Sequence, residues 1–257
     1  MSAGKGMAIV LDGGGGKGAY QVGVLRALKE KGLLENVKAL SGASIGAVNA
    51  FLYAMDDIDI MYRAWEDIDM LTLFDFDLEL LLDKSLHFSR DEMLKLIERY
   101  IDFDKLISGK YDIYIPICRL DGIKRPITAE YRRIGDYTDE SYIKKLLLAS
   151  TALPVMYEAV MIDGSYYRDG GICDNEPIKP LYDAGYREFI VIGMTKGKKI
   201  ATDKWPDADF TGIFPSSELG NLFFGTLNFT ENKIKYAEAL GYKDGLRAIK
   251  SKFHQYH

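Results

Sequence analysis

Three short stretches of this sequence carry residue types that could do chemistry together. Gly42-Ala43-Ser44-Ile45-Gly46 reads G-x-S-x-G and lies between an apolar, strand-like run and a small-residue, helix-like run. In that setting a serine stands clear of a sharp strand-to-helix turn, and the N–H groups of the following helix aim at the same point. Asp12-Gly13-Gly14-Gly15-Gly16-Lys17-Gly18 follows the apolar run Met7–Leu11. Arg168-Asp169-Gly170-Gly171 places an acid beside two glycines. Each pattern alone also occurs in ordinary turns.

The glycine run admits three readings. A Walker A loop requires G-x-x-x-x-G-K-[ST], but Leu11 stands where the first glycine should be and Gly18 where the Ser or Thr should be. A dinucleotide fingerprint is satisfied by Gly13, Gly15 and Gly18. The next strand, however, ends in Ser41-Gly42-Ala43-Ser44, without the acid that would hold a ribose hydroxyl. The third reading is an oxyanion hole, in which backbone N–H groups free of side chains hold the charged oxygen of a tetrahedral intermediate. Lys17 is as compatible with a structural role as with a functional one.

A serine nucleophile needs a base. The chain has three histidines, His87, His254 and His257, and none sits on a turn after a buried strand. A carboxylate in a water-poor site gains basicity by desolvation and can replace histidine. Asp169 is the candidate. Asp12, beside the first glycine, is a rival whose expected role is structural, pairing with loop N–H groups.

In combination these motifs resemble the patatin-like phospholipases. Asp12 to Gly18 fits that family's D-G-G-G-x-[KR]-G motif, Gly42 to Gly46 its G-x-S-x-G, and Asp169 to Gly171 its D-G-[GA]. Two further blocks are similar, Ala149-Ser150-Thr151-Ala152-Leu153-Pro154 and Asn175-Glu176-Pro177, so the match runs from Ala8 to about Met194. The resemblance implies an α/β fold, a three-layer αβα sandwich with a mainly parallel sheet. It also implies a Ser44–Asp169 dyad acting on lipid esters through an acyl-enzyme. The oxyanion hole falls on Gly13, Gly14, Gly15 and Gly16 with Ile45. Neither a metal nor a cofactor is expected. The alternatives are a carboxylesterase or acyltransferase on other esters, and a silent lipid-binding module.

The elements that must position these residues follow from periodicity. Met7–Leu11 reads as a buried strand, Ala19–Lys31 as a helix, Lys38–Leu40 as a second strand and Ile45–Ala54 as a second helix. This β-α-β-α order points to a parallel sheet. Residues 56–83 read as helices outside the sheet, with Arg90–Tyr100 a further helix, so 56–100 is a candidate cap. Strands are expected at Tyr111–Ile117, Pro126–Arg132 and Phe189–Met194, and a hairpin at Val160–Arg168. Helices are expected at Glu140–Ala149, Pro177–Ala184 (Pro177 at its first position) and Glu231–Lys252. Lys196–Thr230 resists assignment. Within it, Leu219–Phe229 is aromatic-rich and is either a core-facing stretch, the favoured reading, or a lid or interfacial patch.

Composition sets the limits. The 257 residues suit one domain, residues 1–257, with the motifs in 8–194. A net charge of −5 argues against nucleic acid and against bulk attraction to anionic membranes. Cys118 and Cys173 show no metal spacing, no disulfide framework is expected, and a reducing compartment fits. The N-terminal residues lack a signal-peptide core and no stretch is long and apolar enough to span a bilayer. The expectation is a cytoplasmic protein, with transient contact at a membrane surface where its lipid ester substrate resides.

Overall fold

A computed structural model describes residues 5–70, 95, 97–122, 125–154, 157–220 and 230–253. Among them are strands β1 (Met7–Leu11), β2 (Val37–Gly42), β3 (Asp112–Leu120), β4 (Pro126–Arg133), β5 (Val160–Ile162), β6 (Ser165–Asp169), β7 (Glu188–Ile192) and β8 (Asp209–Ile213). The helices are α1 (Ala19–Glu30), α2 (Ile45–Tyr53), α3 (Ile58–Met70), α4 (Phe103–Ile107), α5 (Glu140–Ser150), α6 (Lys179–Asp183) and α7 (Glu231–Phe253). Short 3₁₀ turns at Gly15–Gly18 and Gly170–Ile172 lie at the two motif loops.

The strands form one sheet in the order β5-β6-β3-β2-β1-β7-β8, with β4 also paired to β3. Pairing is parallel from β3 through β8 and antiparallel for β3–β4, β3–β6 and β5–β6. β1 shows why its run is apolar throughout. Ile9 and Leu11 enter the larger core under α1, α2, α5 and α7, while Ala8 and Val10 enter a second core with Ile178 and Leu181. A strand buried on both faces has no polar side to show. The layer on the second face is thin, with α6 as its one α-helix among the described residues.

β3 is the long strand, and its edge explains the site. Tyr114 pairs with Ser41 of β2 and with Arg133 of β4, so those strands flank opposite edges. Further along, Cys118 pairs with Ala129 of β4 and with Arg168 of β6. β2 and β6 therefore share one edge of β3 and run toward each other, meeting end to end near Ile115 and Pro116.

Several expectations need correction. β2 runs to Gly42 and so reaches into the serine motif. α6 starts at Lys179, and Pro177 lies outside it with its carbonyl accepting from Ser41 Oγ at 2.6 Å. The unassigned segment contains β8, a parallel edge strand beside β7. Cys118 and Cys173 are joined as a disulfide, with Cα atoms 5.6 Å apart. They are 55 residues apart in sequence and meet because β6 docks on β3, which no spacing pattern reveals. The cysteine argument for a reducing compartment lapses with that pairing. Most of the candidate cap (71–94 and 96), residues 221–229 of the aromatic segment, and all three histidines lie outside the described residues. No described helix is long and apolar enough to cross a membrane.

Candidate active site

Ser44 sits between β2 and α2 with φ 54° and ψ −124°. A positive φ is strained for a residue with a Cβ and persists only where the surroundings enforce it. Here the enforcement is backbone crowding at the two motif glycines. A Cβ at Gly42 would lie 2.1 Å from Gly46 O, and one at Gly46 would lie 2.3 Å from Leu11 O. Only glycines let α2 begin so close to the end of β1, and the strained serine between them projects its hydroxyl outward.

Asp169 ends β6, on the other strand sharing that edge of β3. Its carboxylate is 2% exposed. Oδ1 accepts from the Gly171 N–H at 2.8 Å, and Oδ2 accepts from Ser44 Oγ at 2.5 Å. Burial raises its pKa to about 6, against the opposing pull of the Ser44 and Gly171 hydrogen bonds. Gly170 is required because a Cβ there would meet Pro116 O at 2.0 Å. The first of the two lesser blocks, Ala149 to Pro154, braces this end of β3. Ser150 Oγ donates to Pro116 O at 2.8 Å, and the Asp169 N–H donates to Ala152 O at 3.1 Å. The disulfide adds a covalent tie between β3 and the chain four residues after Asp169.

The glycine loop closes the third side. Gly13 is bonded to Asn175 in the segment after Asp169: its N–H donates to the Asn175 backbone carbonyl at 3.4 Å, and its own carbonyl accepts from the Asn175 side-chain Nδ2 at 3.2 Å. Among the described residues none accepts from the N–H groups of Gly14, Gly15, Gly16 or Ile45, which begin a 3₁₀ turn and α2 respectively. Lys17 is partly buried, and that burial lowers its pKa while Glu218 opposes the shift. Asp12 is 1% exposed and pairs with Lys198 rather than with Ser44.

A buried polar chain fixes the loop from behind. Trp65 Nε1 donates to Asn49 Oδ1 at 2.9 Å, and Asn49 Nδ2 donates to Gly18 O at 3.0 Å and Gln21 Oε1 at 2.8 Å. Gln21 Nε2 in turn donates to Asp12 O at 2.9 Å and Ile192 O at 3.2 Å. Gln21 and Asn49 went unnoticed in the sequence, although a polar residue on the apolar face of each helix was the available signal. Lys198 gave none.

A family model described as patatin-like phospholipase matches residues 9–182. The chain belongs to the patatin-like phospholipase family. Curated relatives include rat patatin-like phospholipase domain-containing protein 7, 30% identical over 78% of this chain, and lysophospholipase nte1 of Aspergillus terreus, 28% identical over 71%. The chain spans 14% and 11% of those two proteins. Among solved structures, VipD from Legionella pneumophila aligns with TM-score 0.64 at 16% identity, over 97% of this chain and 68% of that one. Human GIVD cytosolic phospholipase A2 aligns with TM-score 0.52 at 10% identity, over 97% and 59%. At such identities these likenesses show the shared patatin-like fold, a mainly parallel sheet flanked by helices.

Proposed function

We propose that this patatin-like chain hydrolyses fatty-acyl esters of lipids, phospholipids or lysophospholipids among them, with Ser44 as nucleophile and Asp169 as base. The observation that carries the reading is the 2.5 Å hydrogen bond from Ser44 Oγ to Asp169 Oδ2. As Oγ attacks the ester carbonyl, its proton passes to Asp169. A carboxylate of pKa about 6 is mostly ionised at neutral pH, yet more basic than an exposed one. The developing oxyanion is held by N–H groups of Gly14, Gly15, Gly16 and Ile45; Gly13, whose N–H faces Asn175 O, shapes the loop instead. The ester C–O bond breaks, and Asp169 returns the proton to the leaving alcohol. Water then attacks the acyl-enzyme and gives up its proton to Asp169; the bond between Ser44 Oγ and the acyl carbon breaks, Asp169 passes the proton to Ser44 Oγ, and the fatty acid leaves. The names of the relatives, patatin-like phospholipase and lysophospholipase, favour a lipid ester over other esters.

The test is a fluorophosphonate followed by peptide mass spectrometry. The expected result is one adduct, on Ser44, that does not form in Asp169→Asn. An adduct elsewhere, or none on folded protein that also fails to release fatty acid from a lysophospholipid, rejects the reading.

A further inference from the structure

Lys198 lies beyond the residues the family model matches, in the loop after β7. The Lys198 N–H closes a turn onto Thr195 O at 3.3 Å, and Gly197 takes φ +73° to make the reversal. The turn sends the lysine side chain back toward the glycine loop. Its Nζ lies 2.9 Å from Asp12 Oδ2 and 2.6 Å from Glu176 Oε2. Asp12 immediately precedes the glycine run. Glu176 follows Asn175, the residue bonded to Gly13, in the segment that leaves Asp169. One ammonium therefore joins the loop that carries the N–H donors to the segment that carries the base.

We infer that Lys198 is a positioning residue, a clamp that holds the glycine loop in register with the Ser44–Asp169 pair. This rests on the hydrolase reading above. The physical case is charge balance. Among the described residues, the ionisable groups acting on Asp12 are Lys198 and Glu176. Burial pushes Asp12 up to about 7, Lys198 opposes that rise, and Glu176 adds to it. Burial also opposes the charge on Lys198, but the two carboxylates outweigh it and raise its pKa. With the ammonium removed, two largely buried carboxylates face each other unneutralised, and they separate unless one takes a proton. Separation moves the donors off the oxyanion, where a displacement near 1 Å lowers rate on the order of 10²-fold.

The experiment compares wild type, Lys198→Met, Lys198→Arg and Lys198→Met/Glu176→Gln. Hydrolysis of a p-nitrophenyl acyl ester is followed across pH, and amide hydrogen exchange is followed over residues 12–18. Lys198→Met is expected to lower kcat by roughly 10- to 100-fold at the alkaline end of the profile, where both carboxylates are ionised, with KM little changed. It should also gain an alkaline limb, because the second carboxylate ionises there without a counter-charge. Lys198→Arg should restore kcat, and so should adding Glu176→Gln, which removes the repulsion without restoring the lysine. Amide exchange in the glycine loop should rise in Lys198→Met alone. Unchanged exchange over 12–18 in folded Lys198→Met overturns the clamp, whether or not the wild type turns over. Loss of kcat that neither Lys198→Arg nor the double variant repairs also overturns it. An inactive wild type with increased exchange in Lys198→Met rejects the hydrolase reading and leaves the clamp standing. Should Lys198→Met fail to fold, the double variant carries the decision: folding with wild-type loop exchange supports the clamp, and elevated exchange overturns it.

Discussion

At the Ser44 turn and at the crossing of α1 with α7, glycines let backbone press on backbone. A Cβ at Gly46 would meet Leu11 O at 2.3 Å; one at Gly23 would meet Glu238 O at 2.0 Å, and one at Gly241 would meet Tyr20 O at 2.0 Å. The first closeness forces a serine into a strained, half-buried pose beside a buried acid. The second buries helix against helix and presents no reactive group. The turn belongs to the stretch matched by the family model, and Gly241 lies beyond it. The difference teaches a division of labour. Strain in the matched region is aimed at the proposed reacting centre, whereas close packing in the C-terminal region stabilises α1, whose start carries the glycine loop. Removing the polar groups of the first should lower rate and keep the fold, and filling the helix contact of the second should do the reverse.

The largest expected effects are at the proposed dyad. Ser44→Ala should lower kcat by roughly three orders of magnitude or more, read by release of fatty acid, while the protein stays folded. Asp169→Asn should lower it comparably and also raise stability. Its carboxyl pKa is higher in the folded protein, about 6, than in the unfolded chain, so the folded state holds the proton more tightly. The ionised group therefore destabilises the fold as pH rises from the usual carboxylate range through 6. The gain from the amide should be at most about 3 kcal/mol above pH 6 and vanish near pH 3. Urea unfolding at both pH values measures it, and a loss of stability at pH 7 would break the comparison. The same shift predicts that kcat/KM falls on the acid side with an apparent pKa near 6, as the base becomes protonated.

How much of this was readable in sequence depends on distance along the chain. Ser44, Gly42 and Gly46 act through neighbours a few residues away, so their motif and its flanking strand and helix were visible. Asp169 was visible as a motif. What pairs it with Ser44, the end-to-end meeting of β2 and β6 on one edge of β3, depends on contacts 125 residues apart. Lys198 reaches Asp12 across 186 residues, and the Cys118–Cys173 pair likewise depends on how β6 docks. Local patterns encode turns and faces; they do not encode which turns meet. β8 was missed because its alternation is broken by Thr211 and Gly212 and its register comes from β7.

Gly241→Val tests the other side of the comparison. The added Cβ must displace the backbone of α1, since Tyr20 O is not the movable end of a side chain. Overpacking of this kind destabilises by roughly 1–3 kcal/mol or more. A lower denaturant midpoint with kcat retained, counted per folded molecule, sharpens the division. A fall in kcat with an unchanged midpoint would instead give the helix crossing a part in the chemistry.

The smallest effect should come from Arg247→Ala at the same crossing. Asp244 is 4% exposed and accepts from the Ser216 N–H at 2.8 Å and from Arg247 at 3.0 Å, with Tyr20 OH at 3.4 Å. A buried carboxylate that loses a cation is ordinarily a serious defect. Here the arginine side chain is itself 57% exposed, so water already screens most of its charge. The Ser216 bond, which fastens α7 to the loop after β8, survives the change. The loss should stay within about 1 kcal/mol, and kcat should not move. A larger loss would mean that Asp244 depends on the arginine more than its geometry indicates. Asp244→Asn in the Arg247→Ala background would then recover stability, because the amide still accepts from Ser216 and no longer carries a charge to neutralise.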